Sequence, residues 1–170
     1  TLGSGGATIN TLTMNQAAIT LNFSNNGDVL TVQAGGILAG IDNAARTLGS
    51  VNVRGSITTG PGQQELFLYS GASVFPVNSQ IIDNGAPGNL VLSSSSTVTN
   101  TPTITLTGEN THPGTTYGNG LIVNLDATGA QAVPGNLVIS GGNNGTDSLP
   151  IANAIVNLRQ NDEIGSTAAV

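Results

Sequence analysis

The sequence has no cysteine, no lysine and no tryptophan, and each absence removes a class of protein. Without cysteine there is no disulfide framework and no thiolate metal site. The only cations are Arg46, Arg54 and Arg159, set against nine Asp and Glu. A chain so poor in positive charge cannot neutralise a phosphate backbone or be drawn to anionic headgroups, which argues against nucleic-acid binding and against a membrane-surface role. No apolar run approaches the roughly 20 residues of a membrane helix, and no basic, apolar leader opens the chain, so membrane insertion is not expected. The first residue is Thr1 rather than methionine, as expected of a processed product, a fragment or one unit of something longer.

Aromatics make up 3% of the residues and charged side chains 7%, while 24 of the 170 residues are glycine. Thr, Ser, Asn and Val fill much of the rest. Such a chain lacks the large side chains of a deep globular core, yet it is too rich in Ile, Leu and Val for disorder. It needs a fold that buries many small apolar groups in a thin, regular stack.

Helical periodicity is almost missing. Short alternating segments recur at 8–14, 18–23, 29–33, 50–54, 65–69, 89–93, 103–107, 120–125, 136–140 and 154–158, bounded by Gly, Asn and Asp. Apolar residues at every second position, as in Ile19, Leu21 and Phe23 or Ile104 and Leu106, describe strands with one buried face. A sandwich, a closed barrel and a solenoid can all be built from such strands. Few Asn-Gly hairpin turns, a shortage of aromatics for a sandwich core and a texture uniform from end to end favour the solenoid. The expected fold is therefore all-β, a single right-handed parallel β-helix over residues 1–170. At roughly 20 residues a coil it would have about eight coils and a length of about 40 Å. Thr, Ser and Asn would point outward in polar ladders between coils, and glycine would serve the corners.

Three blocks carry a family resemblance. Residues 8–40 read TINTLTMNQAAITLNFSNNGDVLTVQAGGILAG, residues 103–125 TITLTGENTHPGTTYGNGLIVNL, and residues 156–170 VNLRQNDEIGSTAAV. In this order they resemble the autotransporter-associated β-strand repeats of bacterial surface proteins, with His112, Pro113 and Gly114 standing where that family usually has Tyr-Thr-Gly. The resemblance implies an exported β-helix at the bacterial cell surface or outside the cell. The two ends also fit each other: joining Val170 to Thr1 gives IGSTAAVTLGSGGATINTLTMN, one continuous stretch of the same pattern. Thr1, Leu2, Ala168, Ala169 and Val170 are accordingly the candidate self-association residues, in a tandem array or a head-to-tail filament of copies of this chain. A segment of a longer array bounded at a repeat is the alternative. Open β-helix ends would otherwise leave unpaired strand edges, and no capping helix is evident.

No catalytic residue and no cofactor is expected. His112, the only histidine, lies in a turn-like stretch and reads as a solvent-exposed loop residue, since no nucleophile elbow accompanies it. Asp162 and Glu163 are the only adjacent carboxylates. The others, Asp28, Asp42, Glu65, Asp83, Glu109, Asp126 and Asp147, are isolated in sequence and could meet only across neighbouring coils. The run GGNNGTDSL at 141–149 approximates a calcium-binding nonapeptide but has one residue too many and no tandem copy. It reads as a corner of the solenoid, with Asp147 the residue a surface calcium would use. Asn22 and Asn144 match the glycosylation pattern, a match that an Asn- and Thr-rich chain makes by chance. The pairs Thr11 and Thr13, Thr103 and Thr105, and Thr105 and Thr107 do not recur at the fixed interval an ice-binding face needs. The expected function is thus a stiff, acidic rod in a surface fibre, sheath or adhesin stalk. A glycan-binding adhesive module is the second reading and a polysaccharide-degrading enzyme the third.

Overall fold

The computed structural model describes residues 1–40, 44–71, 74–85, 88–94, 102–141 and 154–170. Its 16 strands form three parallel sheets that the chain visits in turn, which is a parallel β-helix. The first sheet holds β1 (Ala7–Ile9), β4 (Val29–Val32), β7 (Ser56–Thr59) and β10 (Gln80–Ile81). The second holds β2 (Leu12–Met14), β5 (Gly36–Ala39), β8 (Glu65–Ser70), β11 (Asn89–Ser94), β13 (Thr116–Asn119) and β15 (Leu137–Ser140). The third holds β3 (Thr20–Leu21), β6 (Thr47–Leu48), β9 (Val74–Val77), β12 (Thr103–Leu106), β14 (Ile122–Leu125) and β16 (Ile155–Leu158). Beyond β10 the line of the first sheet continues as single contacts: the Thr111 amide donates to the Ile81 carbonyl at 2.9 Å, and Val133 forms a parallel bridge with Ile164.

The second and third sheets have six strands each, so the described residues make six coils and the beginning of a seventh, against the roughly eight expected. At about 4.8 Å per coil six layers measure about 29 Å. The difference lies in the corners. Ladder partners are separated by 19 positions between Thr103 and Ile122, but by 33 between Ile122 and Ile155. Several expected strands also change. The segment at 8–14 divides into β1 and β2 around a corner at Asn10 and Thr11. Residues 50–54 form a corner rather than a strand, because Ser50 and Val53 bond each other, amide to carbonyl at 3.1 Å and amide to hydroxyl at 2.9 Å. A serine that satisfies backbone groups locally competes with the ladder and wins at this position.

The core is a set of inward rows. One row runs through every coil of the third sheet as Leu21, Leu48, Val77, Leu106, Leu125 and Leu158, each the register partner of the next. Its four inner members are wholly buried, whereas Leu158, in the last coil, is 61% exposed. Phe75, Ile104, Val123 and Val156 form a parallel row beside it. Outward residues form the expected polar ladder: the Asn157 amide donates to Asn124 Oδ1 at 2.8 Å, and the Asn124 amide to Thr105 Oγ1 at 3.2 Å. The three aromatics outside the core, Phe67, Tyr69 and Tyr117, all point outward from the second sheet.

Corners are stapled by asparagine. The Asn110 side chain accepts from the Ile81 amide at 2.8 Å and donates to the Ala132 carbonyl at 2.7 Å, joining three successive coils. Asn78 reaches the Gly49 carbonyl, Asn84 the Gly60 and Gln63 carbonyls, and Asn89 accepts from the Thr115 amide. Gly55 is one of several corner glycines that tolerate no side chain. Its φ is +58°, and an added Cβ would stand 2.2 Å from the ring of the buried Phe23.

Two substitutions test this account of stability. Leu106→Ala removes the middle of the continuous row and is expected to lower unfolding stability by about 3 kcal/mol, whereas Leu158→Ala lowers it by less than about 1 kcal/mol. Equal losses in chemical denaturation would contradict the row as drawn. Asn110→Ala, which strands a buried amide and a buried carbonyl, is expected to destabilise by about 2 kcal/mol.

Candidate functional site

The ends of the rod carry the residues that sequence singled out for self-association. Leu2 donates its amide to the Asn22 carbonyl at 2.7 Å and accepts from the Ser24 hydroxyl at 2.7 Å, which lays it against the first coil at the far edge of the third sheet. Ala169 donates to Asn136 Oδ1 at 3.0 Å and accepts from the Leu137 amide at 2.9 Å, which lays it on the last coil at the start of the second sheet. Leu2 and Ala169 therefore lie at opposite ends and beside different sheets. Thr1 is exposed, Ala168 half-buried and Val170 87% exposed. Between these segments the end coils present partly exposed rungs of the core. They are Ile9, Leu12 and Leu21 at one end, and Ile139, Val156 and Leu158 at the other.

His112 is not an exposed loop residue. It is 2% exposed, and its Nε2 lies 3.0 Å from Thr116 Oγ1. Its Nδ1 makes no hydrogen bond to any other described group, and neither does the buried Thr58 Oγ1. Both residues line a cavity of about 10 Å³ closed by Thr59, Ile81 and Asn84. That is room for about one water molecule. The physical reason for the burial is positional. Thr111 continues the first sheet, so its neighbours Asn110 and His112 take inward positions on either side.

Asp162 and Glu163 are adjacent in sequence but do not act together. Glu163 is buried at 2% exposure, and both of its oxygens accept from the Ala127 amide, at 3.0 and 3.1 Å. Burial raises its pKa above the usual carboxylate value, the Ala127 amide opposes the rise and neighbouring Asp126 adds to it. Asp162, at φ +60°, turns outward and is exposed. Asp28 is buried at 3% exposure and accepts from the Gly5 and Asn25 amides, both at 2.8 Å. The Gly5 amide above all holds its carboxyl below the ordinary range. Glu163 and Asp28 are thus coil staples with a charge. Arg46, at 2% exposure, is a third, donating to the Met14 and Asn15 carbonyls at 3.1 and 3.2 Å.

One concave surface was not foreseen. Two adjoining hollows of about 280 and 640 Å³ share Gln80 and Glu109 as walls and run along the corners between the third and first sheets. Two carboxylates, Glu109 and Asp162, line them. Among the described residues no three His, Cys, Asp or Glu side chains gather as metal ligands. Asp42, Asp147, the nonapeptide-like run from 142 onward and Asn144 lie outside the described residues. Asn22 is half-buried beside the first corner. No family model, curated protein or solved structure matches the chain.

The His112 environment yields a pH dependence. Burial pushes its pKa down to about 4 from 6.5. Between these values the unfolded chain binds a proton that the folded chain refuses, so stability falls as pH falls through this window. The expected loss is about 3 kcal/mol from pH 7 to pH 4, and His112→Asn should remove it from the pH profile of unfolding. An unchanged profile in that variant would contradict the assignment.

Proposed function

We propose that this chain is a non-catalytic structural unit of an extracellular bacterial surface fibre, sheath or adhesin stalk, lengthened by coils stacking on both of its ends. The observation that supports this reading is the condition of those ends. β1, β2 and β3 pair on one side only, as do β15 and β16, and each end coil leaves rungs of the apolar row partly in water. Such edges template the addition of further parallel strands. A second copy of the chain offers the matching edge, with the apolar rungs of one end meeting those of the other.

The acidic, nearly cation-free surface fits a rod that does not adhere to nucleic acid. The resemblance to autotransporter-associated repeats points to the same cellular setting. In this reading stiffness comes from coil-to-coil hydrogen bonds, not from a bulky core.

Electron microscopy of concentrated purified protein is expected to show filaments, with fibre diffraction giving a spacing of about 4.8 Å along the axis and a longer repeat near 30 Å. Leu158→Asp should keep the material monomeric while leaving its thermal midpoint nearly unchanged, because that side chain is largely exposed within one chain. A wild-type chain that sediments as a monomer at all concentrations would sink the proposal.

A further inference from the structure

The asparagine and glutamine side chains of this rod fall into two groups. Those at most corners are consumed: Asn78, Asn84, Asn89, Asn110 and Asn136 each bond a backbone group of a neighbouring coil. Along the groove between the third and first sheets, where Asn26 and Asn110 are bonded to the Arg54 amide and to the Ile81 amide and Ala132 carbonyl, six other polar ends are left over. The side chains of Asn52, Gln80, Glu109, Gln131, Asp162 and Ser166 line it, and none of them makes a hydrogen bond or ion pair with another described group. They come from successive corners, so each coil from the third onward contributes at least one hydrogen-bonding group to a single line parallel to the axis. From Asn52 to Asp162 that line rises four coils, about 19 Å.

We infer that this groove binds a neutral, hydroxyl-rich polysaccharide chain laid along the axis. Three features of the groove select that chemistry. Carboxylates and carboxamides bond pairs of adjacent hydroxyls, accepting from one and, in the amides, donating to the other. The charge disfavours anionic polymers: Glu109 and Asp162 face the groove against one cation among its described residues, Arg54, whose Nη1 is turned to the Thr107 and Asn78 carbonyls. The spacing favours sugar over peptide. A coil rise of about 4.8 Å is close to the length of one pyranose unit, so successive units keep step with successive corners, whereas an extended peptide advances about 3.3 Å per residue and falls out of step. A peptide would also need apolar pockets for alternate side chains, and the groove offers only scattered apolar side chains such as Val51 and Ile164. The groove lies on the side wall, so this inference is independent of whether the ends associate.

The test is binding of soluble glucan, mannan, galactan, xylan and chitin oligomers to the wild-type chain by calorimetry, with polygalacturonate and an unstructured peptide alongside. Affinity for at least one neutral series is expected to rise with length to about five units, the number of coils the groove meets, and then to level off. The triple variant Gln80→Ala, Glu109→Ala, Gln131→Ala should bind that oligomer at least about tenfold more weakly. Its thermal midpoint should match the wild type, since the removed groups hold no other part of the chain. Asn119→Ala, on the outer face of the second sheet, should bind as wild type does. The inference is overturned if no neutral oligomer binds, if the triple variant binds undiminished, or if polygalacturonate or the peptide binds as tightly as the best neutral chain.

Discussion

Everything in this molecule depends on parallel backbone pairing repeated at one spacing. Each strand inside a sheet bonds the strand a coil earlier and the strand a coil later, and that fixes residue against residue along the axis. Side chains inherit the register. Leu21, Leu48, Val77, Leu106, Leu125 and Leu158 meet because their amides and carbonyls already do. The apolar contacts then make the pairing worth keeping, since each wholly buried rung contributes about 1.5–3 kcal/mol of transfer free energy. Neither the pairing nor the row is stable without the other.

The same spacing decides what polar side chains can do. An outward Asn on one coil reaches the matching residue on the next, so Asn157, Asn124 and Thr105 bond in series and stiffen the outer face. At corners the amides reach backbone groups that the turning chain leaves without a strand partner. Buried charge is handled in the same way: Glu163, Asp28 and Arg46 spend their hydrogen-bonding capacity on the amides and carbonyls of neighbouring coils. A chain with so few charges can place several of them inside because each meets a backbone partner at the corner that holds it.

The fold class was legible because alternation at period two survives in the longer strands, as at Ile104 and Leu106 or Leu66 and Leu68. The shortest strands were not, and neither were β7, buried at all four positions, and β13, whose inward Thr116 and Gly118 are not large apolar residues. β6 and β10 are two residues long, too short for any period, and only the coils above and below give them a register. His112 was misread for a related reason. Asn110, Thr111 and His112 do alternate inward, outward and inward, but the inward residues are polar and conceal the pattern. The groove had no linear signal, since Gln80 and Gln131 are brought into line only by corners of unequal length. That Leu2 and Ala169 lie beside different sheets had no signal in the sequence.

That inequality of the corners has an evolutionary meaning. Between ladder partners the chain spends anywhere from 19 to 33 residues, yet the inward rows never slip by one. Insertions and deletions at corners are therefore nearly silent in the core, because the cost of closing a flexible loop rises only slowly with its length. Selection can reshape the outer wall one coil at a time while the interior stays constant. A rod of this kind is a scaffold whose surface can diversify much faster than its fold.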